Sequence, residues 1–150
     1  MNLKDEGIIL TIQRYSENSL IVKILSKNNG IYSGFVRSAL KSKKNISTYQ
    51  IGNLVEFTWQ ARNSDNLGSF KIEMIRSFLA FIIESRIKLK CLTTIIDIIE
   101  KNILEKEPHK ELFIKFLNLL QNLGDEDNVF LSNYIKLAHL PGRCKQKGRY

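Results

Sequence analysis

A run of basic side chains is the feature of this sequence that could most directly do chemistry. The stretch VRSALKSKKNISTYQ, residues 36–50, contains no carboxylate but four cations: Arg37, Lys41, Lys43 and Lys44. Cations spaced in this way can meet successive phosphates of a nucleic acid, and each contact releases condensed counterions. The competing interpretation is a solvated loop whose charge keeps the protein soluble. Lys27 and Arg62 are second-rank candidates for phosphate contact.

Single-stranded nucleic acid also needs aromatic surfaces on which its bases can stack. Three tyrosines are candidates because they fall near predicted strand ends or loops: Tyr15, Tyr32 and Tyr49. Phe57 and Trp59 suit a core better, since they alternate with polar residues. Half-buried packing is the competing interpretation for a tyrosine in a small protein.

The sequence offers little for covalent catalysis. It contains no GxxxxGKS/T, HExxH, GxSxG or GxGxxG motif. A general base needs an orienting partner, and the sequence pattern shows none for His109 or His139. Cys91 and Cys144 are far apart and outside any CxxC pair, so a zinc site is not expected. The acidic run at 125–127 fits a helix N-terminal cap better than a calcium site. We therefore expect no enzymatic activity, metal or cofactor.

Charge is distributed unevenly along the chain. The 150 residues carry a net charge of +8, with +5 in residues 1–80, −1 in residues 81–140 and +4 in the last ten. This balance favours a polyanionic or acidic partner. The N-terminus lacks the apolar region of a signal peptide, and charged residues interrupt the most apolar stretch. The sequence therefore predicts a cytoplasmic protein without a membrane span.

Apolar and polar residues alternate through the first half of the chain, which is typical of half-buried strands. Five short antiparallel strands are predicted, with the third over about 31–37, the fourth over 54–60 and the fifth over 67–75. The cationic stretch falls in the longest connection, between the third and fourth strands. This pattern predicts a five-stranded Greek-key barrel of the oligonucleotide/oligosaccharide-binding (OB) type, with an SH3-like barrel as the alternative.

The apolar period becomes helical from residue 77. A long helical run reaches about Ile103, Pro108 opens a second helix that stops at Gly124, and a third helix covers about 128–140. The predicted fold class is therefore α+β. The predicted division is an OB barrel over 1–77, a helical domain over 78–140 and a disordered basic tail over 141–150.

In order and spacing, these segments resemble the RecO family of bacterial DNA recombination and repair mediators. The matching pieces are EGIIL at 6–10, YSENSLIVKILS at 15–26, GIYSGFVRSA at 30–39, YQIGNLVEFTW at 49–59 and LGSFKIE at 67–73. The helical part, including EKEPHKELF, is similar up to about Lys136. No single piece is a sharp chemical motif, and the resemblance lies in their combination.

The resemblance implies a non-enzymatic protein that binds single-stranded and double-stranded DNA, anneals complementary strands and loads a recombinase together with RecR. It also implies contact with the single-stranded-DNA-binding protein and a nucleoid-associated location. Arg37 matches an arginine of the family's basic DNA-binding surface, and Ser38 stands where glycine is common. Lys41, Lys43 and Lys44 match the family's basic, variable connection.

The C-terminal sequence, NYIKLAHLPGRCKQKGRY, departs from the family. The resemblance therefore predicts a truncated helical domain with uncovered apolar surface on Phe113, Leu117 or Leu120. The contact with the single-stranded-DNA-binding protein is the least secure, because relatives make it through this domain. A shortened chain keeps open a second hypothesis, a protein-interaction adaptor or impaired product with weak nucleic-acid binding. An RNA-binding barrel is third, because a cationic groove reads backbone charge with little regard for the sugar.

Overall fold

The computed structural model describes residues 2–37, 39–41, 43–62 and 67–123, apart from the side chains at 43–45. Five strands and four helices follow one another along the chain. The strands are β1 (Asn2–Arg14), β2 (Leu20–Ser26), β3 (Gly30–Val36), β4 (Leu54–Gln60) and β5 (Gly68–Arg76). The helices are α1 (Lys43–Thr48), between β3 and β4, and then α2 (Leu79–Ile82), α3 (Arg86–Asn102) and α4 (Lys110–Asn122).

The strands form a closed barrel in the order β1-β2-β3-β5-β4. β1 is long enough to pair with β4 through its first half and with β2 through its second. The pairing of β3 with β5 is parallel and covers only two residue pairs, Gly34 with Gly68 and Phe35 with Ser69. This Greek-key order, with a helix after β3, is that of an OB barrel. The OB prediction is confirmed, although one strand pair is parallel and β1 is longer than expected.

Alternate residues of the strands fill the barrel interior. The residues that the pattern placed on one side of β4 are buried there: Val55, Phe57 and Trp59. Phe57 meets Phe70 edge to face with ring centroids 5.4 Å apart. Such aromatic pairs add to the stabilisation that comes from burying their area.

A second core lies outside the barrel, between its surface and the helices. The outward side chains Ile8, Leu10, Leu25 and Ile31 are buried with residues of α3 and α4. Because β1 is covered on both faces, Ile8, Ile9 and Leu10 are all buried and simple alternation is lost at this point. The helices therefore pack directly on the barrel.

The prediction of one long helical run after residue 77 is wrong. Two helices, α2 and α3, replace it, because Ser85 adopts an extended backbone and its side chain accepts a hydrogen bond from the Lys88 N–H at 3.3 Å. Serine at this position caps a new helix by satisfying one of its unpaired N–H groups. Within α2, Phe81 is 61% exposed, so this short helix does not continue the buried face of α3.

The apolar face of α4 is covered. Phe113 and Leu120 are buried against α3 and the barrel, and Leu117 packs partly against the same core. The expectation of uncovered apolar surface at these residues is therefore wrong. Pro108 lies just before the helix, whose N-cap is His109.

Several predictions fall outside the described residues, namely the stop at Gly124, the third helix and the basic tail. Within the described residues, no helix has the length and apolar character needed to cross a membrane.

Candidate nucleic-acid interface

A groove of about 580 Å³ lies at one end of the barrel, between the β1–β2 turn and the segment that follows β3. We call it the β1–β2 groove. Its lining residues are Tyr15, Ser16, Glu17, Asn18, Ser19, Phe35, Arg37 and Lys41. Two of the cations singled out from the sequence, Arg37 and Lys41, are thus brought together on one wall.

The opposite wall is the β1–β2 turn, which is held by its own hydrogen bonds. The Tyr15 N–H donates to the Ser19 carbonyl oxygen at 3.0 Å. The Arg14 guanidinium donates to the carbonyl oxygens of Ser16 and Glu17, at 3.4 and 3.1 Å. Arg14 therefore orders the turn and adds positive charge beside it. Sequence analysis missed this residue, although its position at the end of an alternating strand and before a polar turn was a usable signal.

The wall that carries Arg37 and Lys41 is anchored to the barrel by two apolar residues, Ala39 and Leu40. Ala39 is 1% exposed and packs into the barrel core, and Leu40 is partly buried against the same core. The Leu40 N–H also donates to the Asn18 carbonyl oxygen at 3.2 Å, which ties this wall to the turn. Because Ala39 and Leu40 are anchored, Arg37 and Lys41 are held at the groove with their side chains exposed.

One of the three candidate tyrosines lines the groove. Tyr15 is 63% exposed and meets Phe35 edge to face, with ring centroids 4.8 Å apart. Tyr32 instead packs edge to face against Trp59 at 4.9 Å. Tyr49 packs partly against the barrel core, and this burial raises the pKa of its hydroxyl. Tyr15 is therefore the aromatic surface that a base could reach.

The groove keeps a positive charge balance. Within residues 2–37, 39–41, 43–62 and 67–123, no carboxylate pairs with Arg37 or Lys41. Glu17 is the one carboxylate among the lining residues. Two cations against one carboxylate leave an excess of positive charge, which raises the local concentration of anions such as phosphates.

The remaining predicted contacts are distributed elsewhere. Lys43 and Lys44 begin α1 just after the groove, and their side chains lie outside the described part of the structure. Lys27 lies in the β2–β3 turn, at the other end of β3 and about 20 Å away by strand geometry. Arg62 lines a separate pocket with Asn2, Gln60, Ala61, Leu67 and Ser69. The structure therefore does not bring Lys27 or Arg62 into the groove.

A second recess, of about 650 Å³, is lined by residues of β1, β2 and β3, by Trp59 and Leu67, and by Glu100 of α3 with Glu105 and Lys106 of the α3–α4 connector, residues 103–109. We call it the connector face. Here Lys23 on β2 lies 3.5 Å from Glu100 Oε1 and 4.0 Å from Glu105 Oε1. The Ser33 hydroxyl on β3 donates to Glu105 Oε1 at 2.8 Å. In OB barrels this strand surface commonly carries the ligand. Here two carboxylates, Glu100 and Glu105, lie on it instead.

Neither recess holds a catalytic arrangement. In the described part of the chain, no group of three or more His, Cys, Asp or Glu side chains could hold a metal ion. Burial raises the pKa of the Cys91 thiol to about 12, so this residue is not an activated nucleophile. His109 pairs with Glu107 at 3.0 Å on the surface, away from both recesses.

The strand order and the helix after β3 define a protein of the OB-barrel class. Residues 1–78 match the family model described as recombination protein O N terminal. Similar curated proteins include the DNA repair protein RecO of Rickettsia akari (strain Hartford), Rickettsia felis (strain ATCC VR-1525 / URRWXCal2) and Rickettsia peacockii (strain Rustic), at 40%, 38% and 37% identity. Each match runs over 135 residues, which is 90% of this chain and 55% of the relative.

The chain belongs to the RecO family. The resemblance found in the sequence is thereby confirmed. The chain spans about half the length of the curated relatives that it matches.

Proposed function

We propose that this protein is a non-enzymatic, DNA-binding component of recombinational repair. It holds the phosphate backbones of single-stranded and double-stranded DNA along the β1–β2 groove, so that complementary strands can pair. One observation carries the proposal: Arg37 and Lys41 are exposed together beside Tyr15 on the OB barrel of a RecO-family chain. The relatives from Rickettsia are named DNA repair proteins.

The chemistry of the groove supports backbone recognition more than base recognition. Arg37 and Lys41 supply positive charge to phosphates without a dedicated set of base-reading donors. Tyr15 adds a face for stacking that tolerates any base. A protein that reads charge and shape in this way can contact two complementary strands of any sequence, which is what annealing requires.

Family membership supports the proposed partners. RecR is the proposed protein partner for recombinase loading. The single-stranded-DNA-binding protein is the second proposed partner, because it coats the single-stranded DNA on which this protein would act. Both assignments rest on the family and not on a contact seen in this chain. A nucleoid-associated location follows from the proposed affinity for DNA.

The test is the salt dependence of DNA binding. Fluorescence anisotropy with labelled single-stranded DNA across a salt series should show a linear loss of log affinity. The Arg37→Ala/Lys41→Ala variant should flatten that slope by about 1.4, because each lost contact with single-stranded DNA contributes about 0.7. Annealing of complementary oligonucleotides should slow in the same variant.

The matched control is Lys101→Ala/Lys115→Ala. These two lysines lie on α3 and α4, and each pairs with a carboxylate one turn away, Asp97 at 3.0 Å and Glu111 at 3.1 Å. The control removes the same charge from a different surface and should leave most of the slope intact. Equal flattening in both variants would attribute binding to net charge alone. An unchanged slope in Arg37→Ala/Lys41→Ala would favour a protein-interaction adaptor.

The partner assignment needs its own measurement. Capture of purified RecR by the whole chain is expected, with Arg37→Ala/Lys41→Ala as a variant that separates DNA binding from protein contact. Capture that disappears after nuclease treatment would show that DNA bridges the two proteins and would contradict a direct contact.

A further inference from the structure

The connector face contains a lysine, Lys23, that could reach a nucleic acid but is paired with carboxylates of the same chain. Lys23 projects from β2 onto the outer surface of the barrel and lies within ion-pair distance of Glu100 and Glu105. Its side chain is 32% exposed. Both carboxylates come from the helical part of the chain, so the barrel sequence alone does not reveal the pairing.

The connector is fixed to the barrel by backbone contacts. In the part of the chain that the structure describes, β5 pairs with β3 at Gly34 and Phe35 alone, so the first part of β3 has no strand neighbour on that side. Glu105 fills the gap by forming a parallel bridge with Ile31, and the Lys106 N–H donates to the Ile31 carbonyl oxygen at 2.9 Å. The position of Glu105 is therefore set by the backbone and not by its charge.

Glu100 has an unusual place in its helix. It lies in the last turn of α3, where the partial negative charge of the helix end disfavours a carboxylate. Lys23 is the partner that compensates for this position. The connector face also holds Lys106, whose ammonium lies 5.1 Å from the Trp59 ring centroid and 5.7 Å from that of Tyr32. Two carboxylates thus balance two ammonium groups on this face.

We propose that Glu100 and Glu105 form an acidic screen that keeps phosphates off the outer surface of β2 and β3 and so directs DNA to the β1–β2 groove. This inference rests on the proposed function. A phosphate approaching Lys23 would meet two carboxylates within 4.0 Å of the ammonium and would be repelled. The groove presents Arg37 and Lys41 with Glu17 as the one lining acid, so DNA is favoured there.

Removal of the two charges tests the screen. Glu100→Gln/Glu105→Gln keeps side-chain size and an oxygen that can accept the Ser33 hydrogen bond. DNA binding should tighten roughly three- to tenfold at low salt, because Lys23 becomes able to contact a phosphate. The salt slope should steepen by about 0.7 for single-stranded DNA.

Two controls separate the screen from a general change of charge. Asp97→Asn/Glu111→Gln changes the net charge by the same amount on the exposed surface of α3 and α4 and should give a smaller gain. Lys23→Ala should abolish the gain in the Glu100→Gln/Glu105→Gln background and have little effect in the unaltered chain. A gain that survives Lys23→Ala, or an equal gain in the control, would overturn the screen.

Folding and the proposed function are checked separately. Circular dichroism and a thermal melt establish that the double variant folds, and if it does not, Glu100→Gln alone leaves the Ser33–Glu105 hydrogen bond intact. If the unaltered chain binds DNA through Arg37 and Lys41 but charge removal brings no gain, the screen alone is wrong. If neither the unaltered chain nor the double variant binds DNA, the proposed function and the screen are both wrong.

Discussion

The β1–β2 groove and the connector face place basic residues on the same barrel in opposite circumstances. In the groove, buried Ala39 and a turn held by Arg14 fix the wall backbone, and Arg37 and Lys41 are left exposed. On the connector face, the helices bring Glu100 and Glu105 to Lys23. A basic residue of this barrel is therefore exposed only where the following part of the chain leaves it uncovered. The number of cations in the barrel is larger than the number that the proposed DNA-binding surface can use.

Replacement of Gly30 is expected to damage the connector face most. Gly30 has φ +86°, and an added Cβ would lie 2.7 Å from the backbone nitrogen and carbonyl carbon of Glu107. Gly30→Ala should therefore lower the free energy of unfolding by about 2–4 kcal/mol, from backbone strain and from displacement of the connector. Urea denaturation measures the loss.

Gly52→Ala is the matched control for Gly30. Gly52 has a similar φ of +82°, but its added Cβ would meet only side-chain atoms at 3.5 Å or more. Gly52→Ala should therefore lower the free energy of unfolding through backbone strain alone, by about 1 kcal/mol. Equal losses in the two variants would mean that the connector gives way freely and is not held against β3.

The link between the barrel interior and the connector face depends on Trp59. Its indole N–H donates to the Ser33 carbonyl oxygen at 3.0 Å, and Lys106 lies over its ring. Trp59→Phe should cost about 2 kcal/mol of stability, from the lost packing and from the unpaired carbonyl oxygen. Tyr32→Phe, which keeps the ring that meets Trp59, should cost much less in the same denaturation experiment. A Trp59→Phe cost no larger than that of Tyr32→Phe would show that the indole hydrogen bond to Ser33 contributes little to stability.

Substitution of Tyr15 in the β1–β2 groove should change the affinity for DNA and not the stability of the fold. Tyr15→Ala removes an exposed ring and should weaken single-stranded DNA binding by about 1 kcal/mol, at the lower end of the usual stacking contribution. Its free energy of unfolding should change by less than about 0.5 kcal/mol. Tyr15→Phe keeps the stacking face and should bind like the unaltered chain. Loss of affinity in Tyr15→Phe would point to the hydroxyl group instead of stacking.

The smallest expected effect is the reactivity of the Cys91 thiol, which is buried in the core between the barrel and the helices. Its modification would report whether α3 and α4 move away from the barrel. Burial raises the pKa of this thiol from 9.0 to about 12. Because the folded pKa is the higher one, this contribution to stability is complete below pH 9 and is lost as the pH rises towards 12. At pH 8, Cys91 should resist iodoacetamide until the chain unfolds, as peptide mass spectrometry would show. Rapid alkylation of the folded chain would indicate frequent opening of the helices that hold Glu100.

Much of the fold could be predicted because its signals are local. The bounds of β4 follow from strict alternation, and the Asn29-Gly30 pair marks the β2–β3 hairpin. The break before α3 was missed because the apolar period continues through Ser85 and a cap depends on one side-chain hydrogen bond. Burial of Phe113 was missed because its partners come from α3 and the barrel surface. Local patterns carry no information on such distant contacts.

Alternating hydrophobicity, turn residues and the order of its segments were enough for the sequence to determine an OB barrel, helices after it and membership of the RecO family. The sequence also determined that a cationic stretch follows β3. Only the tertiary structure decided which cations stand together, because Arg37 faces a turn more than 15 residues earlier in the chain and Lys23 meets glutamates more than 70 residues later. Charges act through space, so their partners depend on how the chain folds back on itself.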